Sequence, residues 1–94
     1  MNKEFKLYYT DKFEEDVLAH RKSGDKSVLK KLDKLLNELR QHPQTGTGKP
    51  EPLIGDKAGQ WSRRISQKHR LIYEIQGEIV TVLVLSAYGH YGNK

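Results

Sequence analysis

The chain has 94 residues, no cysteine and a formal net charge of +5, with 17 lysines and arginines against 12 acidic residues. This length allows one domain, residues 1–94, and the lack of cysteine excludes disulfides and thiolate metal sites. The basic balance favours an anionic partner, such as nucleic acid, an acidic protein or a membrane surface, although it could also serve solubility alone. No apolar signal segment is visible, and the longest apolar run, Ile79 to Leu85, is too short to cross a bilayer. We therefore expect a cytoplasmic protein that does not interact with membranes.

The first predicted elements are a strand and a helix. Apolar and polar residues alternate from Glu4 to Tyr9, which is typical of a short strand. Thr10 or Asp11 can cap the helix that follows. Its apolar stripe consists of Phe13, Val17 and Leu18.

A second helix has the strongest periodic signal in the chain. The segment Ser23-Gly24-Asp25 separates it from the first helix, and Pro43 stops it. Its apolar residues recur at three- and four-residue spacing: Val28, Leu29, Leu32, Leu35, Leu36 and Leu39. Two amphipathic helices joined by a short turn must cover an apolar surface elsewhere in the chain.

That surface is predicted in the second half of the chain. After a loop, Gln44 to Lys49, three strands are expected at Trp61–Ser66, His69–Gln76 and Glu78–Ala87. The last strand is apolar on both faces and should lie in the sheet interior. The order β-α-α-β-β-β predicts an α+β fold, in which a small, mostly antiparallel sheet carries both helices on one face. The other face is left for function.

A carboxylate between two prolines is the first candidate for chemistry. In Lys49-Pro50-Glu51-Pro52, each proline fixes its own φ and pushes the preceding residue toward extended backbone. Glu51 is therefore expected on a stiff, extended segment, which would preorganise a catalytic carboxylate. On its own, the motif favours an ordinary rigid loop with a solvated Glu51.

Three arginines lie on the two adjacent predicted strands. Arg63 and Arg64 should point to opposite faces, and Arg70 should share its face with Ile72 and Glu74. A guanidinium held by a sheet is a fixed fork of donors suited to phosphate oxygens. The alternative is a cross-strand ion pair with a residue such as Glu74.

The histidines divide into structural and chemical candidates. His69 is in line with the apolar residues of its strand and is expected to be half-buried and structural. His90 follows the last strand and could exchange a proton near neutral pH, although it could also be a solvated tail residue. The four histidines have no paired spacing, so neither a metal site nor a cofactor is predicted.

Several motifs together resemble one family. The runs G-K-P-E-P-L (48–53), W-S-R-R-I (61–65), H-R-L-I-Y (69–73) and the closing His90-Tyr91 resemble the YoeB (Txe) toxins of the RelE/ParE superfamily. The resemblance spans nearly the whole chain. It implies a RelE-like, microbial-RNase-like fold and a ribosome-dependent endoribonuclease that cuts mRNA in the decoding site and so inhibits translation. It also implies neutralisation by a YefM-like antitoxin and a homodimer when the toxin is free.

The resemblance also assigns roles to individual residues. Glu51 matches the family's general base, Arg70 its phosphate-binding arginine and His90 its general acid, while Tyr91 matches the aromatic residue beside that acid. Three basic residues are expected to contact RNA: Lys49, Arg63 and Arg64. Chemistry of this kind requires no metal.

Two other functions are compatible with parts of the pattern. A ParE-like toxin would inhibit DNA gyrase by binding alone and would not need Glu51, Arg70 and His90. A plain RNA-binding domain would suit the charge, but the chain has few aromatics and none of the common RNA-binding motifs.

Overall fold

The computed structural model describes residues 4–53 and 59–87, in which the chain forms two helices and a five-stranded sheet. The elements are β1 (Lys6–Tyr9), α1 (Asp11–Lys22), α2 (Lys26–Leu39), β2 (Glu51–Pro52), β3 (Gln60–Arg64), β4 (His69–Gln76) and β5 (Ile79–Ala87). The strand order is β1-β5-β4-β3-β2, with β1 parallel to β5 and the other pairs antiparallel. The predicted α+β fold with a mostly antiparallel sheet is confirmed. The two-residue strand β2 was not predicted.

The first helix is joined to the sheet by side chains that bond to the backbone of β5. Thr10 is the N-cap of α1, since its hydroxyl accepts the Phe13 N–H at 3.0 Å. The same hydroxyl donates to the Leu83 carbonyl at 2.5 Å, and the Asp16 carboxylate accepts the Leu85 N–H at 2.9 Å. β1 pairs with β5 only as far as Val82, and these two bonds lie beyond that point. α1 therefore covers the part of the β5 edge that β1 leaves unpaired.

A bulge in β5 keeps its apolar residues on the helix side. Ile72 pairs with Val84 and Tyr73 with Val82, which leaves Leu83 as an extra residue. Val82 and Leu85 can therefore both lie in the core, although they are three positions apart. As predicted, β5 is an interior strand of the sheet.

Both helices pack on one face of the sheet, as expected. The buried core consists of Phe13, Val28, Leu32, Leu35, Leu39, Ile65, Leu71, Tyr73, Val80, Val82 and Leu85. Each fully buried apolar side chain contributes roughly 1.5–3 kcal/mol relative to an exposed one. Leu18, part of the predicted apolar stripe of α1, is 52% exposed and lines an open groove between α1 and α2. Within the described part of the chain, neither helix is long and apolar enough to cross a bilayer.

Candidate functional site on the open sheet face

The edge strand β2 places Glu51 on the sheet face opposite the helices. Glu51 is the register partner of Ser62, and Pro52 is the partner of Trp61. Backbone hydrogen bonds continue the pairing on either side. The Arg64 N–H donates to the Gly48 carbonyl at 2.7 Å, and the Leu53 N–H donates to the Gln60 carbonyl at 2.8 Å. Proline is tolerated here because β2 lies at the edge of the sheet. The expectation that Glu51 has an extended backbone is therefore correct.

The backbone just before this strand departs from the prediction. Lys49 was expected to be extended because it precedes Pro50, but it has φ +52° in the left-handed region. The residue before it packs closely on β3: a Cβ on Gly48 would lie 2.6 Å from the Arg64 carbonyl oxygen. Non-glycine residues in this conformation are strained, and such strain is commonly found at functional sites.

The sheet register brings the predicted carboxylate and two predicted arginines to one face. Glu51 is level with Ser62, and the next position along β3 on the same face is Arg64, opposite Arg70. Diagonal neighbours of this kind lie about 7–8 Å apart, within the reach of long side chains. Glu51 and Arg64 are exposed and Arg70 is half-buried. A small depression here is lined by Gly48, Lys49, Glu51, Ser62 and Arg64.

The floor of this face is buried although the helices lie on the other side. Ser62 is 6% exposed, and its neighbour on β4, Ile72, is fully buried. Charged groups beside a dry floor interact more strongly than they would in bulk water, because the local dielectric constant is lower. The arrangement can therefore hold an anion near Arg64 and Arg70 while keeping a carboxylate within reach.

Arg63 lies on the opposite face from Arg64, as the alternation predicted, but its environment was not foreseen. The Arg63 side chain is fully buried on the helix face and forms an ion pair with Glu38 at 2.7 Å. A buried guanidinium does not fit the prediction that Arg63 contacts RNA, so we assign it a structural position. The signal for burial in the sequence is its place in line with Trp61 and Ile65, both of which pack in or against the core.

The histidines are placed as follows. His69 is half-buried, as predicted, and lies on the helix face. Its Nδ1 lies 3.2 Å from the Ser66 hydroxyl oxygen. The centroids of the His69 and His20 rings are 4.7 Å apart, in an edge-to-face arrangement. Burial and the nearby His20 lower the pKa of His69 below its ordinary value, although Asp25 opposes this change.

His90 and Tyr91 lie outside the described residues, so their predicted roles remain predictions. Within residues 4–53 and 59–87, no three acidic or histidine side chains converge as a metal site.

These observations describe a small basic α+β protein whose open sheet face carries a carboxylate and two arginines. A family described as YoeB-like toxin of bacterial type II toxin–antitoxin system matches residues 9–91, and the chain belongs to this family. The toxin YoeB of Escherichia coli (strain K12) is 36% identical over 86 residues, covering 92% of this chain and 99% of that protein. The family predicted from the motifs is thus confirmed.

Solved structures agree with this assignment. A YoeB/ParE toxin from Agrobacterium tumefaciens superposes with a TM-score of 0.80 at 34% identity, over 89% of this chain and 99% of that one. The YoeB dimer from Staphylococcus aureus has a TM-score of 0.76 at 28% identity, over 88% and 95% of the two chains. The YoeB–YefM complex from Staphylococcus aureus was also solved. The matching chain of that complex superposes with a TM-score of 0.75 at 26% identity, over 87% of this chain and 94% of that one.

Proposed function

We propose that this toxin is a ribosome-dependent endoribonuclease of the cytoplasm, which cuts mRNA in the decoding site and so inhibits translation. The observation that carries the proposal is the open-face arrangement of Glu51 beside the opposed arginines Arg64 and Arg70. A protein acting by binding alone has no need for an exposed carboxylate beside two phosphate-binding side chains.

RNA supplies its own nucleophile, the 2′-hydroxyl, so the protein needs a base, an acid and cations. Glu51 would remove the 2′-hydroxyl proton while the 2′-oxygen attacks the adjacent phosphorus. His90, in the role that the family resemblance gives it, would protonate the departing 5′-oxygen. The products are then a 2′,3′-cyclic phosphate and a 5′-hydroxyl end, and the reaction needs no metal ion. Each such proton transfer contributes roughly 10²–10⁴-fold in rate.

The arginines would stabilise the negative charge that builds on the phosphate oxygens during attack. Arg70 is half-buried on the interior strand β4, so its orientation is more restricted than that of a surface side chain. Preorganised donors of this kind stabilise a transition state without reorganising during the reaction. Arg64 and Lys49 would hold the RNA backbone, and Tyr91 would orient a base or the phosphate.

We further propose that a YefM-like antitoxin neutralises the toxin and that the free toxin is a homodimer. The supporting observations concern the Staphylococcus aureus relative, which was solved both as a dimer and in complex with YefM. The basic charge of this chain suits an acidic antitoxin segment that folds on binding.

The decisive experiment compares mRNA cleavage with gyrase inhibition. Purified protein is added to a reconstituted translation mixture, and mRNA ends are mapped with and without ribosomes, while DNA supercoiling is followed in parallel. We expect ribosome-dependent cuts that leave 5′-hydroxyl ends and no effect on supercoiling. Intact mRNA together with blocked supercoiling would instead establish the ParE-like alternative, and 5′-phosphate ends would indicate attack by water.

A further inference from the structure

The buried guanidinium of Arg63 is bonded to the loop that leads into β2. Within the described residues it donates five hydrogen bonds, which matches the number of its N–H groups. The acceptors are Tyr73 Oη (3.1 Å), Glu38 Oε1 (2.7 Å) and the backbone oxygens of His42 (2.6 Å), Thr45 (2.5 Å) and Thr47 (3.4 Å). A charge this deeply buried is tolerated only when it is paired and fully bonded, so the loop and Arg63 hold each other in one arrangement.

Glu38 and Tyr73 extend this network to both ends of the loop. The Glu38 carboxylate accepts the Thr47 N–H at 2.9 Å and the Thr47 hydroxyl at 2.7 Å, so α2 is tied to the loop directly. The Tyr73 hydroxyl donates to the Pro43 carbonyl at 2.6 Å. Burial raises the pKa of Tyr73, so that hydroxyl keeps its proton. Burial alone would raise the pKa of Glu38, but the bonds from Thr47 and Arg63 outweigh it and lower that pKa.

At Gly46 the loop backbone packs closely against the ion pair of Arg63 and Glu38. Gly46 has φ +116°, and a Cβ there would lie 2.5 Å from Glu38 Oε1 and 3.3 Å from Arg63 Nη1. Only glycine fits at that conformation and distance. The backbone is therefore packed directly on the ion pair.

A short, stiff connection links this network to Glu51. Thr47 is fixed by Glu38, Gly48 by its bond to Arg64, and Pro50 has a restricted φ. Only three residues separate the anchored Thr47 from Glu51, so a shift of the anchor is transmitted to the carboxylate. A misplacement of about 1 Å can cost about 10²-fold in rate.

We propose that Arg63, together with Glu38 and Thr47, is a positioning group. It fixes Glu51 on the open face beside the phosphate-binding arginines. Arg63 acts through the loop and touches neither the RNA nor the reacting atoms. The inference rests on the proposed ribonuclease function and adds a second role for the W-S-R-R-I motif: one arginine faces the substrate, and its neighbour holds the loop from behind.

The test uses Arg63→Lys and Thr47→Val, with Thr47→Ser as the conservative variant that retains the hydroxyl bond to Glu38. Val28→Ala, in the core of α2, serves as the control for general loss of stability. Cleavage is measured as kcat and KM for ribosomes at a temperature at which circular dichroism shows every variant folded. Hydrogen exchange of the Thr47 amide is followed alongside that of Leu85 in β5.

We expect kcat to fall about 10–100-fold in Arg63→Lys and Thr47→Val with an unchanged KM, because binding is retained and alignment is lost. Thr47→Ser should cleave like the parent, and Val28→Ala should lower the Tm without changing kcat. Exchange at Thr47 should accelerate in Arg63→Lys while that at Leu85 stays the same.

Three results would overturn the inference. A cleaving parent whose Arg63→Lys and Thr47→Val variants retain kcat would leave the ribonuclease function standing and remove the positioning role. Equal loss of kcat in Val28→Ala would likewise assign the effect to stability alone. A parent that does not cleave mRNA on ribosomes would remove the proposed function, and this inference with it.

Discussion

Arg64 on β3 and Arg70 on β4 are direct cross-strand partners, with their side chains on the same open face of the sheet. Like charges placed directly opposite each other destabilise a sheet by a fraction of a kcal/mol. A pair of guanidinium groups in this position is instead suited to an anion that both can reach. The relationship links the strand register to the proposed recognition of phosphate.

The arginine pair predicts stabilisation by anions. Inorganic phosphate or a short RNA should raise the Tm of the parent protein, because a ligand that binds only the folded state stabilises it by mass action. The gain should be largely lost in Arg70→Gln and reduced in Arg64→Gln. Lys30→Gln, on the exposed face of α2, is the matched control and should behave like the parent. Equal gains in all four proteins would place the anion elsewhere.

Removing the candidate base should separate catalysis from stability. Glu51→Gln should reduce ribosome-dependent cleavage by about 10²–10⁴-fold, the usual contribution of a general base. The side chain is exposed, so the Tm should change little. Glu15→Gln, an exposed change on α1, is the control and should leave cleavage intact. A Glu51→Gln protein that cleaves at the parental rate would exclude Glu51 as the base.

Much of the fold was predictable because its signals are local. Alternation along residues 69–76 placed Leu71 and Tyr73 on the opposite face from Arg70, and the structure agrees. The spacing of leucines defined α2 and its buried side for the same reason. Leu18 belongs to the apolar stripe of α1 but is exposed in the groove between the helices, because helical spacing holds no information about how closely α2 packs against α1.

The candidate site was predictable only in part, because its remaining features depend on distant contacts. β2 has two residues, one of them proline, so it has no periodic signal. The left-handed Lys49 lies in a loop whose Gly48 packs closely on β3, a contact between segments distant in sequence. The burial of Arg63 depends on Glu38, which lies 25 residues earlier in the chain. Pairings across such distances are set by the packed fold and leave no local pattern.

Relieving the strain at Lys49 should raise stability and lower activity. Glycine adopts φ +52° freely, so Lys49→Gly should gain up to about 1 kcal/mol in the free energy of unfolding, measured in urea. Lys49→Ala is the matched control, because it loses the same ammonium group but keeps the strained backbone. Both should bind RNA more weakly, and only the glycine variant should be stabilised. A glycine variant no more stable than the alanine variant would show that the conformation is not strained.

The environment of His69 predicts a loss of stability in mild acid. Its imidazole faces His20, which is bonded to Asp25, with Lys68 nearby, and its folded-state pKa lies below the ordinary value of 6.5. Above pH 6.5 the ring is neutral in both the folded and the unfolded state, and its contribution to stability is complete. Below that pH the unfolded chain takes up a proton first, so the free energy of unfolding decreases as the pH falls.

Urea denaturation of the parent at pH 7.5 and pH 5.5 measures this loss. The same comparison in His69→Gln should show a smaller decrease between the two pH values, because the titrating group is gone. Lys30→Gln, an exposed change on α2 far from this contact in the chain, is the control and should leave the parental decrease unchanged. If His69→Gln keeps the full decrease, another group controls the acid sensitivity, and the contact between His69 and His20 is not its source.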